Sequence, residues 1–408
     1  MENTLSTCGA ASRYKRAVPT PRQLIARCKR PVIKVGSAVL AGAAAAGAGP
    51  GSAGAEASFH ARVASLCGEV AALSRAGGPS GARRFPTVVT SGAVALGVQR
   101  LGLPGRPKEM ALKQAAAAAG QSRLMRLYDD AFAASELICA QVLLTHADVA
   151  HRGRYLNARR ALGALLERGV VPVINENDTV SVEEIKFGDN DALAAMVVDI
   201  CEADLLVILT DAGGVFTSDP RRDKSATRLP LIEKVTPAIE ALAGDESSSV
   251  GTGGMLSKLR AARRATEAGV PCAIISGAPG ELSRLFAGED VGTLVLAQGE
   301  RKRLRQRWML DLKSRGELQV DAGAKSALLE RKKSLLPSGV REVIGNFSAG
   351  DPIEIAEVGG RPFARGLAVY GADELRRIRG LKSDQIEPVL GYRLLDCVVH
   401  RDDLVVTG

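Results

Sequence analysis

At 408 residues, with 46% hydrophobic and only 3% aromatic side chains, the chain is too long for one ordinary core; its aliphatic, Ala-rich make-up suits helices stacked on parallel strands. The net charge of +9 sits at the ends, with seven Lys/Arg against one acid in residues 1–30 and 20 basic against 15 acidic residues in 301–408, so the slightly acidic 31–300 body need not handle nucleic acid. Seven scattered cysteines without a C-x-x-C pair argue against a disulfide framework or zinc site, and no run of about 18 uninterrupted apolar residues reads as membrane-spanning.

Residues 1–30 are basic, carry Ser and Thr, and are nearly free of acids. They read as a disordered extension outside the fold, either an organelle transit peptide or an untargeted tail; without targeting, a reducing cytoplasmic setting is expected. Pro31-Val32-Ile33-Lys34-Val35 reads as a buried strand emptying into Gly36. The Ala/Gly-rich stretch 41–57 is expected to be a flexible surface insertion, as is 77–84, and a helix is expected from about Ser58 to Ala76. Further strands are predicted at 85–90, 137–144, 170–174, 205–209 and 273–275, alternating with helices such as 155–167, 192–201 and 259–268. That alternation predicts an α/β catalytic domain over 31–300, with a mainly parallel open sheet sandwiched by helices. After a basic run at 301–307, short alternating pieces with many turns predict a small β-rich domain over 315–408.

Ligands of such sheets bind beyond the carboxyl ends of the strands, where four polar loops fall. Lys34 and Gly36 end the first strand; a buried lysine there wants an anion, although a strand-end lysine snorkelling to solvent has the same pattern. Ser91, followed by Gly92, opens a helix, as an anion site or a simple N-cap would. Asn175-Glu176-Asn177-Asp178 and Gly188-Asp189-Asn190-Asp191 place amides and acids where an amino acid's carboxylate and ammonium could both be gripped, or where turn and cap chemistry would put them. Thr210-Asp211 and the loop Thr252-Gly253-Gly254-Met255-Leu256-Ser257-Lys258 follow as a nucleotide-phosphate candidate, without the Walker order.

In this order, the motifs resemble those of the glutamate 5-kinases in the amino acid kinase family, from about Val32 to the C-terminus. Gly345-Asn346-Phe347-Ser348, Arg376-Arg377-Ile378, Gly391-Tyr392 and His400-Arg401-Asp402-Asp403 are similar to that family's C-terminal PUA domain. The chain departs from the pattern at Ser37-Ala38, where relatives show a second hydroxyl. The resemblance implies transfer of the γ-phosphoryl group of ATP, with Mg²⁺, to the side-chain carboxylate of L-glutamate. It implies that Lys34 and Lys258 flank the phosphoryl group while Asp191 holds them. Ser91, Asp178 and Asn190 would bind glutamate with help from Asp189, and Gly36, Thr210, Asp211 and residues 252–258 would hold ATP. It further implies feedback inhibition by proline and a homo-oligomer assembled through the kinase domain.

The attacking carboxylate is already ionised, so no general base is required, and the dispersed His60, His146, His151 and His400 read as structural or exposed. Two other readings compete. One is a kinase of the same fold acting on acetylglutamate, aspartate or carbamate. The other is an RNA-binding protein, suggested by the PUA likeness and basic termini; Trp308, Phe347, Phe363, Tyr370 and Tyr392 are the few aromatics it could stack on.

Overall fold

The computed structural model describes residues 20–41, 53–76, 83–180, 190–243, 254–299 and 313–407. Along the first domain come α1 (Pro21–Ile25), β1 (Pro31–Val35), α2 (Ser37–Ala41), α3 (Ala53–Ala76), β2 (Thr87–Val89), α4 (Ala93–Arg100) and α5 (Met110–Ala133). They are followed by β3 (Cys139–Leu144), α6 (His146–Ala150), α7 (Arg152–Glu167), β4 (Val171–Glu176), α8 (Asn190–Ile200) and β5 (Leu205–Thr210). The domain closes with β6 (Leu231–Ile232), α9 (Pro237–Ala241), α10 (Met255–Glu267), β7 (Cys272–Ser276), α11 (Glu281–Phe286) and β8 (Thr293–Val295). The strands form one sheet in the order β3-β4-β2-β1-β5-β7-β8-β6, parallel throughout except where β8 runs against β7.

Strand alternation assigns each side chain to a face. Ile33 and Val35 of β1, with Val207 and Leu209 of β5, pack under α3, α5 and α11; Val32, Leu206 and Ile208 pack under α7, α8 and α10. Lys34 has the parity of Val32, so its amine enters the layer that contains α8 and α10. All five β1 residues are buried, as a central strand covered on both faces requires.

The second domain is a five-stranded sheet ordered β10-β9-β11-β12-β13, from β9 (Gly316–Val320), β10 (Val340–Gly345), β11 (Pro352–Glu357), β12 (Pro362–Leu367) and β13 (Leu404–Val406). Only the β9/β11 pair is parallel. It has its own core, in which Leu318, Ile353, Ile355 and Tyr370 are fully buried.

Three boundary expectations are corrected. Residues 20–30 belong to the fold: Thr20 and Gln23 cap α1 reciprocally, Ile25 is buried, and Arg22 donates to the carbonyls of Val291 at 2.8 Å and Pro230 at 3.0 Å. The expected insertion 41–57 is helical at both ends, in α2 through Ala41 and in α3 from Ala53, because Ala is a good helix former. Its residues 42–52 lie outside the described residues. Arg84, expected on an exposed insertion, is buried with its guanidinium donating to the carbonyls of Ala26 at 2.8 Å and Cys28 at 3.2 Å; residues 77–82 of that insertion lie outside the described residues.

Candidate active site

The central carboxylate is Asp191 in the first turn of α8, with no exposed surface. Lys34 reaches its Oδ1 from β1, and Lys258 Nζ lies 3.3 Å from its Oδ2 from the first turn of α10. Ser257 donates to the same Oδ2 at 2.8 Å. Both lysines are buried, at 3% and 7% exposure, a state that costs several kcal/mol per ion unless partners compensate. Two ammonium groups against one carboxylate sum to +1, so the arrangement favours an arriving anion. The amines share one carboxylate, which places them around one point rather than on separate surfaces.

A second cluster meets beside it. Asn190, adjoining Asp191 at the start of α8, donates its amide to the Thr90 carbonyl, to Ser91 Oγ at 2.9 Å and to Asn175 Oδ1 at 2.8 Å. One side chain thereby ties the loop after β2 to the end of β4. Ser91 is followed by Gly92 at φ 107, a left-handed conformation that a Cβ would strain, with the Phe59 ring 3.1 Å from where that Cβ would stand. Asp178, half-buried beyond β4, has its carboxyl pushed up from the ordinary range by burial, while Lys113 and Arg106 pull it down.

At the ends of β5 and β7, Thr210 is buried and its hydroxyl donates to Asp211 Oδ1 at 3.2 Å, while its carbonyl accepts from Gly277 N at 2.9 Å. Asp211 is exposed. Gly36 is half-buried near the Lys34 amine, and Gly254, Met255, Leu256 and Ser257 lead into Lys258. Asp189, Thr252 and Gly253 lie outside the described residues. Folding therefore brings together Lys34, Asp191, Ser257 and Lys258, and, through Asn190, also Ser91 and Asn175.

Two further residues reach this cluster without a motif in the sequence. Gln121 on α5 accepts from Asn175 Nδ2 at 2.8 Å, and its own Nε2 is buried with no hydrogen-bond partner among the described residues. Tyr128, one helix turn pair further on, holds Thr90 Oγ1 at 2.8 Å. Neither sits in a loop motif; each is a helix residue within an Ala-rich or apolar pattern, and only the packing of α5 aims it at the site. Two of the four histidines have other partners: His151 caps α7 by accepting from Arg154 N, and His400 stands beside Asp402. Of the aromatics offered for RNA stacking, Phe347, Phe363 and Tyr370 are core side chains and Tyr392 is exposed; Trp308 lies outside the described residues. No helix among the described residues is long and apolar enough to cross a membrane.

The sequence model of the amino acid kinase family matches residues 29–276, and that of the PUA domain matches residues 316–390. The chain is 56% identical to a glutamate 5-kinase of Myxococcus xanthus over 78% of its own length and 85% of the relative's. It is 46% identical to the glutamate 5-kinase of Pelobacter propionicus over 94% and 99% of the respective lengths. Among solved structures, the carbamate kinase of Giardia lamblia bound to AMP-PNP aligns over 67% of this chain and 100% of that one, at 18% identity and a TM-score of 0.47.

Proposed function

We propose the chemistry from one premise: the chain belongs to the amino acid kinase family, and within it to the glutamate 5-kinases that carry a PUA domain. It is a phosphotransferase with a carboxyl group as acceptor, and its reaction opens proline biosynthesis. The γ-carboxylate of L-glutamate attacks the γ-phosphorus of ATP. A carboxyl O–P bond forms, the bond to the β-phosphate oxygen breaks, and ADP leaves with the electron pair.

Both reactants are anions, so the enzyme's work is positioning and charge neutralisation. Lys34 and Lys258 take opposite sides of the transferring group, and Asp191 fixes both amines so that no reorganisation is needed as charge moves. The observation that carries this reading is the shared carboxylate with its two buried amines. Ser91, Asn190 and Asp178 hold glutamate, with Asp189 assisting; Asn175 and Gln121 orient Asn190. Gly36, Thr210, Asp211 and residues 252–258 hold ATP. The Asp191 oxygens are already engaged by amines and a hydroxyl, so a magnesium ion would be held by the phosphates of ATP rather than by this carboxylate. Bound there, the ion would supply further positive charge at the transferring group.

Feedback inhibition by proline and assembly of copies through the kinase domain are part of the same proposal, supported by the family likeness. The deciding experiment traps the acyl phosphate as a hydroxamate with Mg-ATP and a panel of acceptors. Glutamate should give product and acetylglutamate, aspartate and carbamate should not; product from one of those instead would reassign the substrate.

A further inference from the structure

Away from the site, one guanidinium joins the two domains. Arg159, in the middle of α7, donates Nη1 to Asp403 Oδ1 of the PUA domain at 2.8 Å and Nη2 to Glu202 Oε1, just past the end of α8. Arg30 Nη1 reaches the other oxygen of Glu202 at 3.3 Å. Arg159 and Asp403 are each 15% exposed, so water screens this pair less than an ordinary surface ion pair. Burial works against the charge on Arg159, and Asp403 and Glu202 more than offset it. Burial lowers the pKa of the neighbouring Arg160, with Asp403 acting in the opposite direction.

Glu202 also has an unusual backbone, with φ at 52, a region that side-chain-bearing residues adopt only where their surroundings hold them. Backbone bonds at the end of α8 provide that hold, from Glu202 N to the Asp199 carbonyl at 3.2 Å and from Ala203 N to the Val198 carbonyl at 2.9 Å, and the two arginines fix the side chain that projects from it. Two residues before it ends α8, an 11-residue helix in which Asp191, Leu193 to Val198 and Ile200 are all buried. Such a rod, about 16 Å long, is close-packed along its length and moves as a unit. Asp191 lies at one end and Glu202 just beyond the other.

We infer that Arg159 is a positioning residue: by gripping Asp403 and Glu202 together it seats the PUA domain on α7 and sets α8, and through α8 it sets the carboxylate that holds Lys34 and Lys258. The inference rests on the transfer role given to those lysines. Losing the grip lets the far end of α8 shift and loosens the amines around the phosphoryl group, while the glutamate and ATP contacts persist. The effect belongs in kcat rather than in KM.

The test uses the full-length chain with Arg159→Ala, Asp403→Asn and the double variant. Each single change should lower kcat by about two- to thirtyfold, the range of coupling through packed networks. KM for glutamate and ATP should stay within about twofold, and the double variant should be no worse than Arg159→Ala. Unchanged kcat in Asp403→Asn, or a change confined to KM, overturns the inference. Asp403→Asn keeps the side chain's shape, so it decides the matter if Arg159→Ala fails to fold. If the unaltered protein forms no acyl phosphate, the functional reading has failed separately; hydrogen exchange then decides, since Asp403→Asn must lower amide protection in α8, and unaltered protection there overturns the coupling.

Discussion

Lys258 and Asp178 show how one residue's surroundings set its task. The Lys258 amine is buried against Asp191, and in the proposed mechanism it meets charge that develops only as the phosphoryl group moves. Lys258→Ala should therefore cut kcat by about a hundredfold or more, the scale of losing one preorganised electrostatic partner, with KM for both substrates little changed. A raised KM for ATP at full kcat would contradict it. Asp178 is the opposite case, since burial raises its carboxyl pKa. The folded chain then holds that proton more tightly than the unfolded chain, whose value is about 3.9, so folding loses stability as pH rises from there through the raised folded value. Asp178→Asn should melt above the unaltered protein at pH 7, converge with it at acid pH, and raise KM for glutamate. Melting curves from pH 4 to 8 give the comparison, and a variant that melts lower at pH 7 would refute the sign.

At the scale of elements, the site depends on how closely α4 and α5 cross. A Cβ at Gly120 would stand 1.8 Å from the Ala93 carbonyl oxygen, and one at Gly97 would stand 1.6 Å from that of Ala116. Both obstacles are backbone, so no rotamer relieves them. The crossing brings Gln121 and Tyr128 onto Asn175 and Thr90. Gly120→Ala should cost about 1–3 kcal/mol from overpacking and lower activity along with Tm. Gly163, in α7, has nothing within 4 Å of its would-be Cβ, so Gly163→Ala should hold or gain about 0.5–1 kcal/mol. Thermal unfolding of the two variants side by side checks the contrast; equal losses would remove close approach as the cause.

For the whole molecule, the hydrophobic clusters of the first domain and the PUA core are separate bodies of buried residues, and the ion pair of Arg159 with Asp403 links the two domains. ATP bound only to the first should stabilise it by about 2.7 kcal/mol at a hundred times Kd. Hydrogen exchange with and without Mg-ATP should show the added protection in β1, α8 and α10 and little in β10 to β12. Protection gained chiefly in the PUA strands would place the nucleotide elsewhere.

The linear order of residues was enough to determine the alternation of strands and helices, the parallel sheet, and the strand ends and helix starts near Lys34, Ser91, Asp178 and Lys258, because period, glycine position and strand ends are local properties. It was not enough to order residues 20–30: Arg22 finds its partner carbonyls at Pro230 and Val291, some two hundred residues away. Nor could it separate an aspartate that merely caps a helix from one that gathers buried amines. Asp191 opens a helix either way; what makes it the hinge of the site is that β1 and α10 each deliver a buried amine to it, and only tertiary packing, where desolvated charges must find one another, decides that. The same packing supplied Gln121 and Arg159, whose partners lie at Asn175, Glu202 and Asp403.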